Sequence, residues 1–317
     1  MFRGLGRWIL VAWMGVTPVA AQETAAVGHG RSPDTWQVRP VLGFGRLFNN
    51  DALGDGEDRW RTGSYTISQI SGPAWRGTLP GFGEILEVRL RGEIIASSNL
   101  RDPGPGDRRY AGILALGLHT HFSIGQAEAS LGADLVVTGP QTGLGAFQTT
   151  VHEWIGAPVP GGLGEQISNG FHPTMVAEFG RSLQISDNST VRPFVELRAG
   201  DETLARIGAD LAVGGYSKGS LMLRDTTTGQ RYRGVRGYGA GGMSLLLGGD
   251  IAHVADSIYL PDSDPLILAD TRTRLRAGLH WQGTKSDIFW GLTWLSKEFD
   301  SQPEGQLLGS LTLRMRF

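Results

Sequence analysis

The chain has no cysteine, so no disulfide ties its loops and no thiolate serves as nucleophile or metal ligand. On its own that absence says little about compartment. No run of about twenty apolar residues occurs, which excludes a membrane-spanning helix, and an apolar share of 40% argues against a helical membrane bundle. Charge of either sign is nearly balanced, with a net value of −2 over 317 residues. That excludes bulk attraction to nucleic acid.

What the chain has in plenty is glycine, 48 residues without a collagen period, a sign of many turns and close backbone contacts. At the N-terminus, Arg3 and Arg7 precede an apolar run from Trp8 to Val16, followed by Val19, Ala20 and Ala21. A basic start, a short apolar core and small residues before a cleavage point make residues 1–21 a signal peptide. The run is too short for a membrane anchor. Residues 22–36 read as a polar, flexible lead-in, and 37–317 as one domain.

From Gln37 onward the dominant pattern has period two. Leu86, Val88, Leu90 and Ile94 alternate with Glu87, Arg89, Arg91 and Glu93. Leu275, Ala277, Leu279 and Trp281 alternate with Arg272, Arg274, Arg276 and His280. A secreted β-sandwich also alternates. These strands, however, are long enough to cross a bilayer when tilted, and Trp281, Trp290, Trp294 and Phe317 stand near strand ends as an aromatic girdle does. The pattern predicts an all-β, outer-membrane, antiparallel up-and-down β-barrel with a charged interior. About twelve strands are expected, near 37–48, 62–71, 83–97, 110–123, 126–138, 171–185, 190–200, 203–215, 240–260, 268–282, 286–297 and 306–317. Turn residues in Asp102–Asp107, Ser186–Ser189, Leu223–Gln230 and Leu260–Pro265 separate them. The segment 139–170 is read as the one long connection, carrying a short helical insertion.

Four clusters carry candidate chemistry. In Gln148–Asn169, Gln148 and His152 share a face if the stretch is helical; His152 then serves as a general base, or the helix is a plain surface element. Asn49, Asn50 and Asp51, followed by DRWRTGS (Asp58–Ser64), offer oxygen donors suited to calcium, or an Asx-stabilised turn. In DRRYAG (Asp107–Gly112), an arginine holds an anionic phosphate, or pairs with an interior acid. Leu131–Gly139, LGADLVVTG, is a strand leading into the helix.

The order of these clusters resembles the outer-membrane lipid A deacylase family, whose expected run is ND, DRYYTNG, DRPYAG, LGxxGP, QxxxH and GWxxQ. Here the run is NND, DRWRTG, DRRYAG, LGADLVVTGP, Q-x3-H and PGGLGEQ, ending in KEFDSQPEGQLLGSLTLRMRF. The resemblance covers nearly the whole mature chain. It implies a calcium-dependent ester hydrolase in the cell outer membrane that removes the 3′-linked acyloxyacyl group of lipid A, with lipopolysaccharide as its partner. The site would lie at the outer end, between the barrel wall and a short helix. By matching motifs His152 would be the base, with Gln148 beside it; Asn50, Asp51 and Thr62 would join the catalytic group, Asp51 would hold the metal, and Arg108 would bind substrate. Three positions depart from the family pattern. Gly63 replaces the asparagine after Thr62, and Leu163 replaces the tryptophan of GWxxQ. Pro158 and Val159 stand where an acid is expected after His152, leaving Glu153 and Glu165 as the nearest candidates. Two rival readings remain: a non-catalytic barrel (a small porin or structural protein with a vestigial site), and a phospholipase, for which Ser123 and Ser130 lack any motif near His152.

Overall fold

The computed structural model describes residues 39–104 and 106–315. The expected signal peptide (1–21), the expected lead-in (22–36) and Phe317 lie outside the described residues. In chain order the strands are β1 Val41–Asn50, β2 Trp60–Ser71, β3 Ile85–Ala96, β4 Ala111–Ile124, β5 Ala127–Thr138, β6 Gly170–Gly180, β7 Leu183–Ser186, β8 Ser189–Ala199, β9 Glu202–Val213, β10 Leu221–Arg224, β11 Arg231–Val235, β12 Gly242–Ser257, β13 Thr271–Gln282, β14 Ser286–Leu295 and β15 Gln306–Met315. One helix, α1 Leu144–Ile155, joins β5 to β6. Successive long strands pair antiparallel, β1 pairs with β15, and the β6–β8 pairing closes the ring. The wall is therefore a closed barrel of twelve strands, as expected; among the described residues β7 pairs only with β8. The strand expected over 171–185 is interrupted at Arg181 and Ser182, but β6 and β7 keep one register along β8, and the chain turns back only at Asp187 and Asn188.

The alternation settles which face meets lipid. Leu90, Leu116, Leu197, Ile207, Leu275 and Trp290 are exposed on the outside, while Glu87, Arg91, Glu93, Asp210, Asp250 and Arg276 are buried inside. Closure leaves no unpaired strand edge, which is what lets a sheet stand in hydrocarbon. The interior charges offset one another. Asp250 pairs with Arg206 (3.0 Å), Arg274 (2.9 Å) and Arg276, and Asp210 with Arg224 (2.8 Å) and Arg276 (2.7 Å). Removing one member of such a buried network costs about 3–5 kcal/mol.

Tight turns join β4 to β5 and β13 to β14 at one end, which identifies it as the periplasmic end. The expectation of a single long connection is corrected. Residues 214–241, between β9 and β12, form a second one, entering the lumen from the periplasmic end as the β10–β11 hairpin. Leu223 and Tyr232 of this hairpin pack against Leu47, Ile70 and Phe289 of the wall. The RDTTTG stretch is the hairpin's tip, not a turn between wall strands. Strands of four and five residues carry too little alternation to be told from a loop. Inward charges and hairpin together occupy the lumen, leaving a polar chamber of about 470 Å³ lined in part by Arg89, His119, His121, Glu178 and Arg224.

Candidate active site

The helix α1 lies on the outside of the wall. Leu114, Leu116 and Leu118 of β4 face outward, and Gly112 shares their parity. A Cβ on Gly112 would come within 2.6 Å of Thr142 Oγ1 and 3.1 Å of Leu144, so glycine is what allows the segment leading into α1 to rest on the wall. Gly143 (φ 70°) and Gly156 (φ 74°) bound the helix in left-handed conformations that suit glycine. Gln148 and His152 are buried towards the wall, as the four-residue spacing predicts. Phe147 and Trp154, 58% and 63% exposed, point away from it.

A bulge in β2 brings the second part of the site to the same side. The β2–β3 register shifts between Trp60 and Gly63, and an extra residue in one strand reverses the facing of its neighbours. Arg61 enters the lumen, bonded to Glu93 (2.8 Å), Glu298 (2.5 Å) and Glu202 (3.2 Å). Thr62 instead meets the acids of the 51–59 loop. Trp60 takes φ 50°, which costs a bulky residue about 1–3 kcal/mol. Burial of its indole among Leu260, Leu266 and Phe299 offsets that cost.

Asn50 organises the loop. Its side chain accepts from Ala52 N (2.9 Å) and donates to Thr62 O (3.0 Å), capping the short 3-10 turn that holds Asp51. Gly63 leaves room for this, since a Cβ there would sit 3.1 Å from Asn50 Nδ2. Asp51 accepts from Arg59 N (2.9 Å). The Thr62 hydroxyl lies 2.5 Å from Asp58 Oδ1 and 3.3 Å from Asp51 Oδ1. Burial holds the Asp51 carboxyl well above the usual aspartate range, and the neighbouring Asp58 charge adds to the rise. Asp58 is raised too, again by burial, against the opposing pull of the Thr62 hydrogen bond and the nearby imidazole.

His152 completes the group. Its Nδ1 is 2.5 Å from Pro158 O. A carbonyl only accepts, so the proton sits on Nδ1 and the lone pair on Nε2, 3.4 Å from Asp58 Oδ2. Gln148 Nε2 donates to Asp58 Oδ1 at 3.4 Å. The expected acid partner is thus corrected. Glu153 and Glu165 are exposed, the position of the missing acid supplies a backbone carbonyl instead, and the carboxylate facing the imidazole is Asp58. The spacing of Asp58 four residues before Thr62 was the available signal. Tyr110 was also missed; its buried hydroxyl has no hydrogen-bond partner among the described residues, and burial and the Asp58 charge raise its pKa.

Of the sequence-predicted residues, the structure brings together Asn50, Asp51, Thr62, Gln148 and His152. It does not bring Arg108 to them as a substrate contact. That guanidinium is fully buried and bonded to Glu298, because the 97–110 loop folds it inward over the lumen. The more exposed arginine of that motif is Arg109, paired with Asp264.

The acid pair suits a hard cation. Two carboxyls share one hydroxyl, both donors are oxygen, and burial, with the Asp58 charge added at Asp51, resists their ionisation, a penalty a divalent ion offsets. No group of three or more His, Asp or Glu side chains is clustered for a metal among the described residues, so neutral oxygens would complete the shell. One expected result comes from linkage. The folded acids hold their protons above the ordinary range, so in chelator the pair's stabilising contribution is full at low pH and lost as pH rises through their raised values. Thermal melts in detergent between about pH 4 and about pH 8 should show that decline for the wild type, a shallower decline for Asp51→Asn, and its reversal by calcium in the wild type alone. Equal slopes for the two proteins would show that the acids do not repel each other.

The family model of outer membrane protein LpxR matches residues 8–317. No curated protein sequence matches the chain significantly. Among solved structures, LpxR from Salmonella typhimurium superposes with a TM-score of 0.72 at 18% identity, over 87% of this chain and 100% of that one. The NanC porin (0.39, 5% identity, 87% and 100% coverage) and the β domain of the Bordetella autotransporter BrkA (0.40, 11%, 87% and 99%) are too distant to bear on the site. A family match over the whole barrel, with its motifs gathered at one outer cleft, places the chain in the LpxR family of outer-membrane lipid A deacylases.

Proposed function

We propose that this barrel is a calcium-dependent esterase that removes the 3′-linked acyloxyacyl group of lipid A in the outer leaflet, by attack of a water activated by His152. The observation that carries this reading is the imidazole itself. It sits on the lipid side of the wall at the outer end, with its proton held on Nδ1 by Pro158 and the lone pair on Nε2, the nitrogen 3.4 Å from Asp58 Oδ2. Nε2 takes the proton of the attacking water and returns it to the departing sugar oxygen. Asp58, held by Gln148 and Thr62, steadies the imidazolium formed in between. Asn50 keeps Asp51 and Thr62 in place. A calcium ion bound by Asp51 and Asp58 would supply positive charge to the ester carbonyl as it becomes an oxyanion. Export by the N-terminal signal would deliver the chain to the outer membrane.

Mass spectrometry of lipid A from cells with and without the protein tests the activity. Expression should remove one hydroxyacyl chain together with its secondary acyl group as a single unit. Unchanged lipid A would favour a barrel with a vestigial site, and loss of glycerophospholipid chains would favour a phospholipase.

A further inference from the structure

The last residues of β1 face opposite sides of the wall. Asn50 turns outward to cap the loop that holds Asp51. Asn49, one residue earlier, turns into the lumen, as alternation requires. There its Nδ2 donates to Ser64 Oγ (2.9 Å) and Asp225 Oδ2 (3.1 Å), and its Oδ1 accepts from Ser310 Oγ (2.7 Å). Asp225 stands at the tip of the β10–β11 hairpin. Its carboxylate also accepts from Thr66 Oγ1 (3.2 Å), Thr228 N (2.8 Å) and Thr228 Oγ1 (2.7 Å). The tip is rigid, since Asp225 N donates to Gln230 O and Gly229 N to Asp225 O, both at 3.0 Å.

This carboxylate differs from its neighbours. Asp210, Asp250 and Glu178 all pair with arginines. Asp225 is 1% exposed and, among the described residues, makes no ion pair; hydroxyls and amides alone satisfy it. A buried carboxylate without a cation is expensive, and a threonine or asparagine would fill the turn more cheaply. What the charge adds is strong acceptance, and among its donors Asn49 and Thr66 belong to the two strands, β1 and β2, that carry the outer site.

We propose that Asp225 is a positioning residue for that site. From inside the lumen, the hairpin tip holds the ends of β1 and β2 in the register that presents Asn50, Asp51 and Thr62 on the far side of the wall. The catalytic part of this inference rests on the proposed deacylation; the mechanical part does not.

The experiment compares wild type, Asp225→Ala, Asp225→Asn, Thr66→Val and a control, Arg233→Gln, in detergent. Arg233 bonds Gln282 (2.9 Å) and Asp287 (3.1 Å) at the periplasmic end, so the control loosens the hairpin's base and spares its tip. Hydrogen exchange at residues 49–52 and steady-state kinetics on lipid A are read for each protein, with heat-modified gel migration checking barrel closure. Asp225→Ala should speed exchange at 49–52 by roughly tenfold. It should lower kcat by roughly ten- to a hundred-fold with KM nearly unchanged, because the reacting groups and not the lipid surface are displaced. Asp225→Asn should fall between, having kept one acceptor oxygen. Thr66→Val, which keeps the carboxylate and deletes one donor, should move both readouts the same way by less, and it decides the matter if Asp225→Ala does not fold. The control should move neither. Unchanged exchange at 49–52 in Asp225→Ala, or equal effects from the control, would overturn the proposal. A wild type that exchanges as expected but leaves lipid A intact would sink the proposed function and leave the buttress standing.

Discussion

Replacing His152 with alanine should leave a barrel that folds, inserts and shows the same heat-modified migration, yet deacylates lipid A roughly a hundred- to ten-thousand-fold more slowly. That range corresponds to about 3–5 kcal/mol of transition-state stabilisation. The barrel wall does not depend on the ring, which lies outside it and whose only hydrogen bond among the described residues is to Pro158 O. His152→Asn sharpens the test. Its amide NH2 still reaches a carbonyl, but nothing on it accepts a proton at the position of Nε2. It should be as slow as the alanine variant while melting closer to wild type. Either variant deacylating at near-normal rate would make α1 scaffolding and move the base elsewhere.

Loss of the cation pair should be nearly as severe and should separate activity from stability. Asp51→Ala deletes one of two acids that burial raises above the usual aspartate range, the Asp58 charge adding to the rise at Asp51. Activity should fall by roughly a hundred- to a thousand-fold, the scale on which removal of an oxyanion-stabilising group is felt. In chelator, the wild type should fall to a similar rate and recover with calcium, whereas the variant should not respond to added calcium. Wild-type turnover unchanged by excess chelator would remove the metal from the reaction and leave Asp51 as a loop anchor.

The wall was legible because period-two patterning needs only local sequence. The inward set Glu87, Arg91 and Glu93 and the outward set Val88 and Leu90 fall where alternation places them. Gln148 and His152 were legible for the same reason, with a period of four in place of two. Asp58 was not, because its role exists only once the 51–59 loop meets a helix some ninety residues later in the chain. Arg108 misled for a related reason. A strand-opening arginine reads the same whether its loop folds over the lumen or away from it, and only Glu298, far along the chain, decides the outcome. The hairpin at 214–241 was hidden by its brevity, and no sequence pattern says whether an insertion turns inward or out.

The bare outer face of α1 has a consequence for how turnover is expressed. Phe147 and Trp154 stand exposed beside a wall of exposed leucines, the kind of face that settles at the boundary between headgroups and acyl chains. A base mounted on the lipid side of a barrel meets its substrate sideways, within a film, so the governing quantity is the fraction of the surrounding amphiphiles that are substrate, not moles per litre. Diluting the aqueous phase leaves that fraction untouched, while adding inert lipid lowers it. Michaelis constants for such a protein therefore carry units of surface mole fraction.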